Sequence, residues 1–219
     1  MMRLNILINS EYEPLYWKSP FSQTQPFYPN MVRIRTIPDG SCFFHSIVKA
    51  FYEPYQLGRL DNKVLSRTDF VKNLRTTLAL TLAAPISLDT NLTHYDVLSR
   101  GKLAEMSKDN PRYTLENMQK ELKNTIPVDN LFNEYVSNIL EKDVYLLDAI
   151  KQDVYVTGND FDILYKNRKS IVILVIPGHY ELVGIQKQSG IQTLFDPDDD
   201  FILTIKRRLR QLTNLQNSA

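Results

Sequence analysis

The chain has 219 residues, 43% of them hydrophobic and 23% charged, which suits a globular protein with a sizeable core and marks no internal break. A formal net charge of +1 excludes a dedicated nucleic-acid binder, because neutralising phosphates needs a clear basic excess. The single cysteine excludes an intramolecular disulfide and any multi-cysteine zinc site, so neither a metal nor another cofactor is expected.

Residues 1–30 combine a strand-like stretch, Leu4 to Ile8, with proline-rich aromatic segments around Trp17 and Phe27. Pro14, Pro26 and Pro29 forbid a regular helix there, so an irregular arm packed on or beside the domain is expected. Val32 to Ile37 alternates apolar and polar residues, as a short strand does. Pro38-Asp39-Gly40-Ser41 is turn chemistry, and a helix is predicted from Cys42 to Tyr52. Thr68-Asp69 open a second helix, with Phe70, Val71, Leu74, Leu78 and Leu82 at helical spacing and Pro85 beyond its end. Residues 86–113 are polar and poorly periodic. Thr114 and Asp129 can cap two further helices, the second carrying Phe132, Tyr135, Val136, Ile139 and Leu140 as an apolar stripe.

The texture then turns to strands: Asp143–Asp148, Asp153–Val156, Ser170–Ile176 and Tyr180–Ile185, broken by Gly158-Asn159-Asp160 and by Pro177-Gly178. Ile171 to Ile176 is apolar at every position, which predicts a central strand buried on both faces. Helices first and strands later make an α/β (α+β) sandwich, a central sheet covered by helices. A main domain over 31–195 is expected. Residues 196–219 are read as an acidic turn, Asp196 to Asp200, and a basic tail around Ile205–Arg210 that presents a solvated face. No apolar run reaches the roughly 18 residues of a membrane span, and the apolar part of Met1–Ser10 is too short for a signal peptide. A monomer in a reducing, cytoplasmic compartment is expected.

Free cysteines are usually inert small hydrophobes. Cys42 differs by position, where a strand, a glycine turn and a helix meet. Unpaired N–H groups at a helix start should lower the thiol pKa and can hold an oxyanion, and Gly40 lets the loop bend close. Of the three histidines, His45 lies one helical turn from Cys42 and reads as a packed or hydrogen-bonding neighbour, and His94 sits in a polar stretch. His179 follows the buried strand and its turn, at the rim of a rigid sheet. It is the candidate base. Strand alternation puts Glu181 on the same side as His179, where its carboxylate can fix the imidazole tautomer.

Asp39-Gly40-Ser41-Cys42-Phe43-Phe44 resembles the Asp-Gly-x-Cys-x-Phe signature of ovarian-tumour (OTU) cysteine proteases, and His179-Tyr180-Glu181 resembles that family's His-aromatic-Asn/Asp element. The Lys166–Val172 lead-in is similar to OTU-like proteins of large DNA viruses, iridovirus-type. The resemblance covers about residues 32–186. It implies an OTU-type fold and cleavage of ubiquitin conjugates or polyubiquitin, with Cys42 as nucleophile and His179 as base and later acid. It also implies an oxyanion loop of Asp39, Gly40, Ser41 and Cys42, and a channel beside Gly178 and Tyr180 for the substrate's Gly-Gly end. Glu181 departs from the family's Asn or Asp. The group orienting His179 is therefore open between Glu181, Asp39 and a backbone carbonyl. An inactive ubiquitin-binding module, or a papain-like protease acting on another modifier or a polyprotein, are the alternative readings.

Overall fold

The computed structural model describes residues 6–7, 12–22, 24–99, 110–128, 131–156 and 166–216. In chain order these form β1 (Ile6–Leu7), β2 (Tyr12–Pro14), β3 (Met31–Ile34), α1 (Cys42–Phe51) and α2 (Glu53–Leu57). A small hairpin follows, β4 (Arg59–Leu60) and β5 (Lys63–Val64), and then α3 (Arg67–Leu82), α4 (His94–Ser99), α5 (Leu115–Lys123) and α6 (Leu131–Leu140). The last elements are β6 (Asp143–Asp148), β7 (Asp153–Val154), β8 (Ser170–Ile176), β9 (His179–Lys187), β10 (Gly190–Gln192) and α7 (Asp200–Gln216). The Asp129 cap and the Gly158-Asn159-Asp160 turn lie outside the described residues.

The sheet is mixed, as an α/β sandwich requires. Its path runs β1-β10-β9-β8-β6-β7, with β3 also on β9 and β2 outside β3. β6 and β8 are parallel, while the other pairs are antiparallel. β9 organises the whole. Val183 pairs with Arg33 of β3 and with Val172 of β8, so the two neighbours occupy opposite edges of the strand.

Alternation along the strands divides the interior in two. Val144, Leu146, Ile171, Ile173 and Leu182 face a core shared with Phe44 and Ile47 of α1, Leu78 of α3, Met118 of α5 and Phe132 of α6. Tyr145, Leu147, Val172, Leu174 and Val183 face a second core shared with Trp17 and Phe27 of the arm and with Phe201, Ile202 and Ile205 of α7. The run at Ile171–Ile176 therefore feeds both faces.

Residues 200–216 form α7, which buries Phe201, Ile202, Ile205 and Leu209 together with Lys206, while Arg207 and Arg210 present the expected solvated face. The acidic turn caps this helix from outside. Asp199 Oδ1 accepts from the Phe201 amide at 2.9 Å, and Lys206 Nζ donates to the Pro197 carbonyl at 3.1 Å. Local caps elsewhere act as sequence chemistry directs. Ser66 Oγ accepts from Asp69 N at 3.3 Å to start α3, and Thr114 Oγ1 accepts from Asn117 N at 3.4 Å to start α5.

Candidate active site

β3 leaves β9 at Ile34, whose partner is Leu182. The main chain of Tyr180 therefore has no strand on that edge, and α1 fills the gap. Thr36 Oγ1 donates to the Tyr180 carbonyl at 2.5 Å, and Ser46 Oγ lies 3.4 Å from the same oxygen. The Tyr180 amide is turned to the Cys42 thiol. Ser46 Oγ also donates to the Cys42 carbonyl at 2.8 Å, which ties the first turn of α1 to the start of β9. The Phe43 ring meets the Tyr180 ring edge-on at 5.5 Å. The structure thus seats Cys42, first residue of α1, against the residue that follows His179.

Cys42 is 2% exposed. Burial pushes its thiol above the usual range, and the charge of Asp39 adds to that. The amides of Tyr180, Phe43 and Cys42 itself oppose the rise without cancelling it. This reverses the expectation of a depressed thiol pKa, because desolvation of the thiolate outweighs the amides of the helix start. The Cys42 side chain therefore rests as a thiol rather than a thiolate.

Gly40 takes φ +80, in the left-handed region that glycine occupies without strain. A Cβ there would sit 2.2 Å from the Thr125 carbonyl oxygen. The loop therefore lies directly on the backbone that follows α5, and only glycine fits. Asp39 closes the loop on itself: its Oδ1 accepts from the Ser41 amide at 2.9 Å. Its Oδ2 lies 3.1 Å from His45 Nε2, and His45 Nδ1 lies 2.6 Å from the Tyr55 hydroxyl. A carboxylate only accepts, so Nε2 carries the imidazole proton, and Nδ1 accepts from the phenol. Burial keeps Tyr55 protonated and holds the His45 pKa down, while Asp39 partly offsets the latter. Burial also raises Asp39, but the bonds from His45 and the Ser41 amide bring its pKa below the ordinary value.

The other half of the site is looser. His179 opens β9 after the Pro177-Gly178 turn, with 23% of its side chain exposed. Its Nε2 is 4.0 Å from Glu181 Oε1, beyond hydrogen-bond reach. Glu181 Oε2 is buried and has no hydrogen-bond partner among the described residues. It lies 3.9 Å from Arg33 NH1, and Arg33 Nε donates to Glu13 of β2 at 3.0 Å. Asp39 does not meet His179, since its contacts are Ser41 and His45. Of the two carboxylates proposed to orient the base, Glu181 is the one brought near it.

Sequence reasoning missed Arg33, Thr36, Ser46 and Arg75. Arg75 carried a signal, for it falls on the Val71–Leu78–Leu82 face of α3, where a charged residue is out of place. Thr36 and Ser46 carried none, since their role depends on where β3 stops.

No protein-family model matches the chain, and no curated protein matches it. Among solved structures, the chain is similar to an ovarian tumour (OTU) domain in complex with ubiquitin, at 15% identity and TM-score 0.48, covering 86% of this chain and 90% of that one. It is also similar to the viral OTU domain protease from Qalyub virus, at 18% identity and TM-score 0.35, covering 80% of this chain and 98% of that one.

Proposed function

We propose that the chain is a deubiquitinating thiol protease that hydrolyses isopeptide bonds of ubiquitin conjugates or polyubiquitin. The observation that carries this reading is the seating of Cys42, at the start of α1 behind a positive-φ glycine, against the main chain beside His179. The Asp39–Phe44 and His179–Glu181 motifs supply the substrate class, since they resemble OTU proteases. The Lys166–Val172 lead-in supports an origin among OTU-like proteins of large DNA viruses, and the single cysteine suits a reducing, cytoplasmic compartment.

In this mechanism Nε2 of His179 faces Glu181, which leaves Nδ1 for the thiol. Nδ1 takes the Sγ proton as sulfur attacks the carbonyl carbon of the terminal glycine of ubiquitin. The oxyanion is held by backbone amides of the 39–42 loop. Collapse expels the lysine amine, which receives the proton from His179. Water, deprotonated by the same imidazole, then cleaves the thioester. Closure of the 4.0 Å gap to Glu181 on substrate binding would hold the imidazolium, as catalytic bonds that are long in a free enzyme tighten in the complex.

The test is a ubiquitin probe with an electrophile at its C-terminus, beside a panel of diubiquitins. One covalent adduct, formed at Cys42 and absent from Cys42→Ala, is expected, with diubiquitin cleavage lost in the variant. Tight binding with no adduct would make the protein a ubiquitin-binding module. Cleavage of an unrelated peptide alone would move it to another papain-like activity.

A further inference from the structure

We propose that Arg75, 33 positions beyond the nucleophile, is a positioning residue that sets the oxyanion loop in its working shape. The proposal rests on the reading of Cys42 as nucleophile.

Arg75 stands in the inward stripe of α3 between Val71 and Leu78 and is 1% exposed. A buried guanidinium survives only if its donors are matched. Nε donates to the Leu122 carbonyl at 2.9 Å, and NH2 donates to the carbonyls of Glu121 at 2.9 Å and Ile126 at 3.0 Å. NH1 turns the other way, to the Gly40 carbonyl at 3.2 Å and Ser41 Oγ at 2.7 Å. All five acceptors are neutral oxygens. The guanidinium also lies over the Phe44 ring, 4.8 Å from its centroid. Burial pulls its pKa to about 10, which still leaves a cation at neutral pH.

Two consequences follow for the loop. The first concerns the Gly40–Ser41 peptide. Its carbonyl is bound by Arg75, and its N–H, pointing the opposite way, is bound by Asp39 Oδ1. The peptide is held at both ends. The amides of Gly40 and Cys42 on either side take no hydrogen-bond partner from another described residue, so they are the donors left for an oxyanion. Glycine at φ +80 resists a peptide flip poorly, and a flip would turn the Gly40 carbonyl away from Arg75.

The second concerns the cap of α1. Ser41 occupies the N-cap position, where a serine hydroxyl ordinarily accepts from an amide of the first turn. Here it makes no such bond and accepts from Arg75 instead. The first-turn amides of Cys42 and Phe43 are thereby left to face the thiol rather than the cap. A buried positive charge behind them also favours an anion there.

The experiment compares wild type with Arg75→Lys, which keeps the charge but loses the fork of donors. Steady-state cleavage of a ubiquitin-fluorophore conjugate is measured beside alkylation of Cys42 by iodoacetamide, a displacement that passes through no tetrahedral oxyanion. Expected for the folded variant are a kcat lower by about 100-fold, with KM and alkylation rate within about twofold of wild type. An unchanged kcat overturns the proposal. So does an equal loss in both reactions, which would mean a generally distorted site. Should Arg75→Lys not fold, Ser41→Ala removes one loop bond alone and is expected to lower kcat about fivefold with KM unchanged; no change in kcat overturns the proposal. A wild type inactive on ubiquitin sinks the proposed function instead. The role of Arg75 is then read from hydrogen exchange at the Ser41 amide, which accelerates in either variant if Arg75 holds the loop and stays as in wild type if it does not.

Discussion

The two halves of the site are built to different tolerances. Around Cys42, Arg75, Asp39, His45, Ser46 and Thr36 lock the main chain through hydrogen bonds of 2.5 to 3.4 Å. Around His179 the spacings are 4.0 Å to Glu181 and 3.9 Å from Glu181 to Arg33. In the proposed reaction the nucleophile's side would offer donors at fixed points in the transition state, where preorganisation lowers the barrier. The base would move a proton on and off, gaining its final alignment when substrate excludes water. A rigid cradle and a looser base would then divide the work.

The contrast breaks first on the loose side. His179→Ala should lower kcat/KM on diubiquitin by about 10⁴-fold or more while lowering the thermal midpoint only slightly, because its side chain is partly exposed. A residual rate within tenfold of wild type would remove His179 from the mechanism. Gly40→Ala tests the rigid side. A Cβ cannot enter beside the Thr125 carbonyl without displacing the loop, so kcat should fall about 100-fold and the thermal midpoint should also drop. Unimpaired turnover would show that the loop tolerates another shape.

Glu181→Ala should cost about tenfold in kcat, and Arg33→Met about twofold to threefold, since each removes one layer behind the imidazole. Equal kcat in wild type and Glu181→Ala would hand the orienting role to a backbone carbonyl. The smallest effect concerns pH. Burial depresses the His45 pKa below 6.5, so as pH falls through that value the unfolded chain takes up its proton before the folded one does. Stability should therefore decline as pH falls through the unfolded value toward the lowered folded one, and His45→Gln should flatten the decline. Asp39, whose pKa lies below 3.8, stays ionised across that window. An identical slope in the variant would place the acid sensitivity elsewhere.

Much of the framework was legible because its signals are local. β6 and β8 occupy the predicted ranges, since apolar runs bounded by turn residues leave little choice. Cys42 opens α1 as the glycine turn announces. What escaped depends on other parts of the chain. β10 is three residues long and is defined by its pairing with β9 on one side and β1 on the other. In α7 the charges of Lys206, Arg207, Arg208 and Arg210 hid the Phe201–Ile205–Leu209 stripe. The pKa of Cys42 went the other way because a helix start can be recognised in sequence, whereas the burial of one thiol cannot. Arg75 stayed hidden for a similar reason, as all five of its acceptors lie outside α3.

Gly178 has nothing within 4 Å of a built Cβ, yet its φ of +74 closes the turn that pairs Ile176 with His179. Two residues, Pro177 and Gly178, thus set the reading frame of β9. In that frame His179, Glu181 and Val183 share one face, and Tyr180 and Leu182 share the other. An inserted residue that shifted the frame by one would present Tyr180 where the imidazole belongs and send Val183 into the wrong core. In the proposed reaction, the length of this turn would matter as much as the histidine it delivers.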